Sequence, residues 1–215
     1  MSEARGFSEV LVKLNLRCGW AIATALLLPL VVPLAALAEL ATLQGQPGSQ
    51  VNVRRSPSTN AAIAHYGLGG DRVDVNDWIS STDGYIWYGV RFSGSGATGW
   101  VRGDLVRVNS STSQRVSFAP GTAAANVGGN VQGFQVREYV LNAAAGQTIS
   151  TQLIANSASL RVNVVAPTGR SLYLGGGNWS GPLPVAGDYR VRVSQFATAA
   201  RRDETGEFGL TIGIR

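Results

Sequence analysis

Short runs of alternating apolar and polar residues, each ended by a turn rich in glycine or proline, cover the chain from Gln50 to Arg215. In "YRVRV", Tyr189, Val191 and Val193 fall on one face of an extended strand, while the two arginines between them fall on the other. This period of two predicts β-strands that bury one face. The frequent turns leave no room for long helices, so the sequence predicts an all-β protein.

Few residues of this chain are suited to hold a metal or to perform covalent chemistry. The 215 residues include one cysteine, Cys18, and one histidine, His65. One cysteine provides neither a disulfide framework nor a four-cysteine zinc site, and His65 has no recognisable partners for a Ser-His-Asp scheme. The carboxylates lie mostly near turns, in no pattern that predicts a catalytic pair. We therefore expect a protein that is not an enzyme and needs no cofactor or metal.

The N-terminal segment has the layout of a secretory signal peptide. Basic residues, the last of them Arg17, precede the twenty-residue apolar run "GWAIATALLLPLVVPLAALA", which ends in the small-x-small pattern Ala36-Leu37-Ala38. A retained membrane anchor is the alternative, because a run of this length can span a bilayer. The two prolines in the run and the Ala-Leu-Ala ending favour cleavage. We predict a signal peptide over residues 1–38 and a secreted or periplasmic protein with no stable membrane insertion after cleavage.

Basic residues are in modest excess and give a formal net charge of +5. The arginines are scattered along the candidate strands and do not form a basic run. Nucleic-acid-binding proteins concentrate their positive charge on one stripe or helix, so we predict no nucleic-acid partner. A mildly basic exported surface is better suited to anionic polymers of the cell envelope.

Residues 44–108 have the strand spacing of a small barrel, with five short candidate strands separated by glycine-containing turns. One of these turns, "GSGATG" at 94–99, matches the dinucleotide-binding pattern G-x-G-x-x-G. That pattern binds a pyrophosphate only when a helix N-terminus follows it, and a strand follows here. The glycines of this turn are therefore predicted to form the tip of a hairpin.

Three motifs in this region occur in the order "VNVRRSPSTN", "WYGVRF" and "GWVRGDLV". Together they resemble the bacterial SH3-like domain, which reads Asn-Val-Arg-x-Gly-Pro-Ser in its first strand and loop and Gly-Trp-Val before its last strand. The resemblance implies an SH3-like barrel that binds cell-wall peptide or glycan. Ser56 replaces the usual glycine of the first loop, and Pro57 opens a polar loop across the mouth of the barrel. Trp100, in the Gly-Trp-Val motif, is expected in the core.

Aromatic residues beside the turns of this domain are candidates for ligand contacts. Tyr85 and Trp87 share one face of their strand, and Trp78 lies nearby in the sequence. Exposed rings can stack on sugars or pack on peptides, although the same rings can instead fill a core. We take Trp78, Tyr85 and Trp87 as the candidate ligand-binding residues.

The strands lengthen beyond a polar linker at 109–114. Seven candidate strands over residues 115–215, punctuated by glycine and proline, predict a seven- to eight-stranded antiparallel β-sandwich. A turn of helix is predicted at 196–204, before the last strand.

Two stretches of this second domain are "GFQVREYVLNAAAGQTI" and "LPVAGDYRVRVSQFATAARRDETGEFGLTI". They resemble the periplasmic inhibitors of goose-type lysozyme and, more broadly, the pre-peptidase C-terminal β-sandwich of secreted bacterial peptidases. The resemblance places inhibition on a tyrosine after the first glycine and on two arginines four residues apart. Those positions are Phe134, Ala197 and Arg201 here, so only Arg201 keeps its polar group.

Three functions remain open from the sequence. The first, which we expect, is an exported, non-enzymatic envelope protein that binds peptidoglycan or another envelope polymer through its SH3-like domain. The second is an inhibitor of goose-type lysozyme that acts through Phe134 and Arg201, with a lysozyme or another secreted protein as partner. The third is a cell-wall hydrolase or an accessory to one, which would require a cleft that holds His65 or two close carboxylates.

Overall fold

The structure is a computed structural model, and it describes residues 38–215. The predicted signal peptide lies outside the described residues, apart from Ala38. Between residues 38 and 215 there is no helix with the length and apolar character needed to cross a membrane. The regular secondary structure of the described chain is almost entirely β-strand, which confirms the predicted all-β class.

The first half of the described chain forms one antiparallel sheet of seven strands, in the order β3-β2-β6-β5-β4-β1-β7. The strands are β1 (Glu39–Leu43), β2 (Gln50–Arg54), β3 (Ile63–Leu68), β4 (Arg72–Ser80), β5 (Ile86–Phe92), β6 (Thr98–Arg102) and β7 (Val106–Val108). Buried side chains of β2, near one end of the sheet, and of β7, at the other end, belong to the same apolar cluster. The sheet therefore curls around a single core, and we call this half the barrel.

The barrel begins earlier than the predicted range of 44–108. Strand β1 pairs with both β4 and β7, and its Ala41 and Leu43 are buried in the core. The "GSGATG" turn links β5 to β6 as a hairpin, because β6 follows it directly. No helix begins there, so the turn has no pyrophosphate-binding geometry.

The second half forms two sheets whose buried side chains share one apolar cluster, as expected for a sandwich. The five-stranded sheet has the order β13-β12-β15-β10-β8 and consists of β8 (Thr112–Arg115), β10 (Arg137–Ala143), β12 (Leu160–Val165), β13 (Ser171–Gly175) and β15 (Gly187–Gln195). The four-stranded sheet has the order β14-β11-β16-β9 and consists of β9 (Ala124–Gln132), β11 (Thr148–Ala155), β14 (Trp179–Pro182) and β16 (Thr205–Ile214). The predicted helical turn is α1 (Ala197–Ala200), between β15 and β16.

Strands β9 and β14 extend the sandwich beyond the seven segments that the sequence indicated. Strand β9 contains adjacent glycines, Gly128 and Gly129, and these weaken the sequence signal for a strand. Close pairing explains one of them, because a Cβ at Gly128 would lie 2.9 Å from the carbonyl oxygen of Phe208. Strand β8 also begins inside the predicted linker at 109–114 and pairs in parallel with β10.

The stretch "LPVAGDY" (183–189), which opens the second segment that resembles the lysozyme inhibitors, has a structural role. The Tyr189 side chain is fully buried, and its hydroxyl donates to the carbonyl oxygen of Val185 at 2.6 Å. The same hydroxyl accepts the Val185 N–H, and Gly187 takes a φ of 139°, which favours glycine. The motif therefore fixes the turn into β15 and leaves its tyrosine unable to contact a partner.

Candidate functional site

The barrel and the sandwich pack directly against each other within one compact unit. Phe134 of the sandwich is 3% exposed and belongs to the apolar cluster of the barrel. The indole N–H of Trp78 donates to the carbonyl oxygen of Gln195 at 2.9 Å, and the Ser171 N–H donates to the carbonyl oxygen of Gly84 at 2.9 Å. The predicted linker is thus only one of several connections between the two halves.

Both candidate inhibitor residues lie at this contact. Arg201 follows α1 and donates through Nη1 to Oδ1 of Asp77 on β4, at 2.7 Å. The Arg201 side chain remains 38% exposed, whereas Phe134 has almost no exposed surface. The barrel therefore covers the ring at the position to which the lysozyme-inhibitor resemblance assigned a role in inhibition. The change Phe134→Tyr would place a hydroxyl inside the contact.

Glu39 lies at the same contact, at the start of β1. Its carboxylate accepts a hydrogen bond from the backbone N–H of Phe134, and it lines one cleft together with Asp203. Burial raises the pKa of Glu39 from 4.5 to about 7; the hydrogen bond from Phe134 opposes this rise, and the nearby charge of Asp203 adds to it. Two carboxyl groups thus meet in one cleft, and one of them is engaged in holding the barrel to the sandwich.

We expect Glu39→Gln to remove a pH dependence of stability. The folded protein holds the Glu39 proton more tightly than the unfolded chain, so its stabilising contribution is complete below pH 4.5 and is lost as the pH rises through 7. The melting temperature of the wild type should fall over this range relative to that of Glu39→Gln. The exposed Glu207 offers a matched control, and Glu207→Gln should follow the wild-type profile. If the melting temperatures of the wild type and Glu39→Gln change with pH in the same way, the raised pKa of Glu39 would be contradicted.

Trp87 is buried, and this corrects the expectation that it could stack on a ligand. Its side chain is 1% exposed, and its indole N–H lies 3.3 Å from each carboxylate oxygen of Asp83. Asp83 also accepts the backbone N–H of Thr59, in the polar loop that follows β2. Burial raises the pKa of Asp83, but the hydrogen bonds from Thr59, Tyr85 and Trp87 outweigh it and leave that pKa lowered. Asp83 therefore connects the polar loop to Trp87 through hydrogen bonds to both.

Trp78 and Tyr85 are half-buried, and each has a neighbour within the protein. Trp78 packs against the barrel core and donates to the sandwich, as described above. The guanidinium of Arg102 lies 4.6 Å above the centre of the Tyr85 ring and is itself paired with Asp104 at 2.6 Å. The structure does not bring Trp78, Tyr85 and Trp87 together as one open aromatic surface.

An open groove does lie on the barrel, but its aromatic residue is Trp100. The groove has a volume of about 410 Å³ and is lined by residues of β4, β5 and β6. Trp100 pairs with Gly89 across β5 and β6, and a Cβ at Gly89 would lie 3.6 Å from Cη2 of the indole. A Cβ at Gly89 would only touch the indole, but it would crowd Oδ1 of Asn76 at 3.1 Å and Cβ of Asp77 at 3.2 Å, so glycine here leaves space beside β4.

The three residues of the Gly-Trp-Val motif have different structural roles. Gly99 allows β6 to approach β2, since a Cβ there would lie 2.5 Å from Cγ1 of Val53. Val101 is fully buried in the barrel core. Trp100 lies between them on the other face, so the expectation that it belongs to the core is wrong. The alternation of the strand alone, with Val101 inward, could have indicated this.

Charged and polar side chains surround the indole of Trp100. Arg55 begins the polar loop on one side of the groove, and Asp77 lies on the other, beside Asn76. Asn76 is the extra residue of a β-bulge between Val75 and Asp77, which turns both polar side chains toward the groove side of β4. The groove therefore offers an aromatic ring, a cation and an anion within one surface.

His65 does not lie in a catalytic arrangement. Its Nε2 is 3.3 Å from the carbonyl oxygen of Thr98, and its ring packs edge-on against Phe92 with the ring centres 5.2 Å apart. Among residues 38–215, no group of three or more histidine, cysteine, aspartate and glutamate side chains is placed to hold a metal ion.

No family model matches the sequence. Serine/threonine-protein kinase D of Synechocystis sp. is 39% identical to this chain over 66 residues, which are 31% of this chain and 13% of the kinase. The chain therefore spans only a small part of that relative's length.

Among solved structures, a periplasmic inhibitor of g-type lysozyme from Aeromonas hydrophila, PliG, is 32% identical, with a TM-score of 0.46, and it is matched over 49% of this chain and 97% of its own. The corresponding protein of Salmonella Typhimurium is 21% identical, with a TM-score of 0.39, over 48% of this chain and 97% of its own. The pre-peptidase C-terminal domain of a Bacillus anthracis collagenase is 9% identical, with a TM-score of 0.31, over 49% of this chain and 96% of its own. Each match covers less than half of this chain, so none of them assigns a function to the whole.

Proposed function

We propose that this chain is an exported binding protein of the bacterial cell envelope, and that the groove at Trp100 holds the peptide part of the cell wall. The observation that carries the proposal is the half-buried indole of Trp100 in a groove that Arg55 and Asp77 also line, with the strand of Trp100 lying between β2, which Arg55 follows, and β4, which contains Asp77. Wall peptides carry free carboxylates and amines on short side chains. An aromatic ring flanked by both charges matches this chemistry, because the ring packs on the apolar parts while the charges pair with the peptide termini.

The two halves of the protein meet at the edge of this groove. Asp77 lines the groove and is also the partner of Arg201, 2.7 Å away. A ligand amine that approaches Asp77 therefore competes with Arg201 for the same carboxylate. In this proposal the sandwich supports one wall of the groove and adjusts the charge available there.

Replacing Trp100 with alanine should weaken retention on purified peptidoglycan at least about tenfold, because the aromatic anchor of the groove is lost. The fold should persist, since Trp100 lies outside the apolar cluster of the barrel. Tyr66 is an aromatic residue of the barrel that is 53% exposed and lies outside the groove lining, so Tyr66→Ala provides the control. Co-sedimentation of each folded variant with peptidoglycan measures the effect. Equal retention of wild type and Trp100→Ala would overturn the groove as the site.

Inhibition of goose-type lysozyme is the second candidate function. Its support is the sequence pattern of the sandwich, together with the retained and partly exposed Arg201. Exposed ion pairs contribute only about 0–1 kcal/mol. A carboxylate in an enzyme cleft, which can form a two-pronged hydrogen bond with a guanidinium, is therefore able to compete with Asp77 for Arg201.

If the protein inhibits goose-type lysozyme, the wild type should inhibit the enzyme weakly. Asp77→Asn should inhibit it more strongly, because Arg201 is released from its ion pair. Arg201→Ala should remove the inhibition in both backgrounds. Titration of the enzyme against each purified variant, by turbidity of a cell suspension, gives the comparison. Absence of inhibition by both the wild type and Asp77→Asn would mean that the sandwich shares only a fold with the inhibitors.

A further inference from the structure

We propose that the cleft between the barrel and the sandwich is a binding site for a phosphate or diphosphate group. The cleft has a volume of about 400 Å³, which is within the range of small-molecule sites. The barrel forms one wall with β7 and the turn between β6 and β7, and the sandwich forms the other with β10, β15 and the turn between β12 and β13. The cleft shares no lining residue with the groove at Trp100, so this proposal does not depend on the function proposed for that groove.

Two arginines of β15 bring positive charge to the sandwich wall of the cleft. Arg190 and Arg192 lie two positions apart and share the outer face of the sheet, whereas Val191 between them is fully buried in the sandwich core. Glu138 stands opposite Arg192 across β10 and β15. Its carboxylate lies 2.7 Å from Nε of Arg192 and 3.9 Å from Nε of Arg190. Two guanidinium groups thus share one carboxylate, which leaves a surplus of positive charge on this wall.

The barrel wall contributes a third arginine, Arg107. It is the exposed middle residue of β7, and its neighbours Val106 and Val108 are buried in the barrel core. Arg107 lines the cleft together with Glu138 and Arg192, and the same three residues line a smaller adjoining cavity of about 100 Å³. The strand that carries Arg107 therefore faces the charged side chains of the sandwich across a short gap.

The two carboxylates of the cleft are already engaged within their own walls. Asp104 accepts from Nε and Nη2 of Arg102, at 2.6 Å and 2.8 Å, and both residues belong to the barrel. Glu138 accepts from Arg192 at 2.7 Å and from the Ser113 hydroxyl at 3.0 Å, and all three belong to the sandwich. Within the part of the chain that the structure describes, no ion pair crosses the cleft. These charges are therefore not arranged to hold the two walls together.

Arg107 and Arg190 are the cations that remain available to a ligand. Within residues 38–215, neither guanidinium has a hydrogen-bond partner, and the Arg190 side chain is 37% exposed. The other carboxylate near Arg190 is that of Asp188, which is held by Arg115 at 2.6 Å. A cleft with an excess of one charge concentrates ions of the opposite charge. The ligand of this cleft is therefore an anion.

The placement of the two arginines on opposite walls favours a phosphate over a carboxylate. A phosphate directs its oxygens in several directions, so it can accept hydrogen bonds from Arg107 and Arg190 at the same time. A carboxylate directs both oxygens to one side, as Glu138 does toward the arginines of β15. Thr168, in the turn between β12 and β13, adds a hydroxyl donor to the lining.

Titration calorimetry of the purified protein with inorganic pyrophosphate tests this site. We expect a dissociation constant below about 1 mM. Arg190→Ala and Arg107→Ala should each weaken the binding at least about tenfold, because each removes a charged hydrogen bond. Glu138→Gln should strengthen it about threefold or more, because the amide keeps the shape of the carboxylate without its negative charge. Arg91→Ala is the matched control, since Arg91 is an exposed arginine of the barrel outside the cleft, and it should bind as the wild type does.

Citrate separates recognition of phosphate from attraction to charge alone, because it carries a similar charge at neutral pH on carboxylates. It should bind at least about tenfold more weakly than pyrophosphate. Glucose 1-phosphate in the same titration, and co-sedimentation with vesicles that contain phosphatidic acid, distinguish a soluble ester from a lipid headgroup. Binding of pyrophosphate alone would assign a diphosphate.

The proposal is overturned if the dissociation constant for pyrophosphate is above about 1 mM, or if citrate binds as tightly. It is equally overturned if Arg190→Ala and Arg107→Ala bind as the wild type does, or if Arg91→Ala loses as much affinity as they do. Arg107 and Arg190 are both accessible to solvent, so their replacement should leave the fold intact, which circular dichroism verifies.

Discussion

Replacing Phe134 with alanine is expected to lower the free energy of unfolding by about 3–5 kcal/mol, the usual cost of removing a buried phenylalanine ring. The ring is 3% exposed and joins the apolar cluster of the barrel, although Phe134 belongs to the sandwich in sequence. Its loss leaves a cavity at the contact between the two halves. Urea unfolding followed by tryptophan fluorescence measures the change, because Trp78 lies at the same contact.

Phe196→Ala is the matched control for this prediction. Phe196 is also a sandwich residue and lies just before α1, but its side chain is 39% exposed. Its replacement should lower the free energy of unfolding by no more than about 1 kcal/mol. Equal losses in the two variants would show that the Phe134 ring does not fill the barrel core, and the packing described for the two halves would then be wrong.

A chain that begins at Gln44 is expected not to fold, whereas one that begins at Ala38 should fold. The shorter chain lacks β1, which lies between β4 and β7 and pairs with both of them. It also loses Ala41 and Leu43, whose exposed fractions are 0% and 1%. Without β1, two strands keep unpaired edges and the barrel core is open to water.

Far-UV circular dichroism and the dispersion of amide proton resonances compare the two chains. The chain from Ala38 retains every strand of both sheets of the sandwich and of the barrel, so it is the control for the deletion itself. A chain from Gln44 with native dispersion would contradict the assignment of β1 to the barrel core.

The sequence was sufficient to predict the fold class and the order of the two halves. Alternation of apolar and polar residues located β10, β12 and β15, because each buries one face in the ordinary way. It failed for β9, whose burial pattern is mostly exposed and whose glycines pack against a neighbouring strand. It also failed for β1, which follows directly on the apolar segment predicted as a signal peptide.

The candidate site could be predicted only in part, because it depends on contacts that are distant in the sequence. Alternation placed Tyr85 and Trp87 on one face of β5, but it could not show that Asp83 and the loop around Thr59 bury Trp87. The groove brings Trp100 together with Gly89, its partner on the adjacent strand. No local pattern identifies such a pair.

The contact between the two halves could not be predicted from the sequence either. Arg201 and its partner Asp77 are separated by 124 positions. The polar segment 109–114 has the composition of a free hinge, yet the Ser111 hydroxyl accepts a hydrogen bond from the Val136 N–H, at the beginning of the sandwich. Composition shows only that such a segment is polar, while the contact between the two halves rests on Phe134, which packs in the apolar cluster of the barrel.

Titration of the isotope-labelled protein with a soluble wall fragment, a disaccharide that carries its peptide, tests the proposed function most directly. If the groove is the site, the largest chemical-shift changes occur at the indole N–H of Trp100 and at the backbone amides of Gly89 and Thr98. Saturation of these changes at one equivalent of fragment per protein would support the proposal. Changes confined to residues outside the groove, or no changes at any concentration up to the solubility of the fragment, would contradict it.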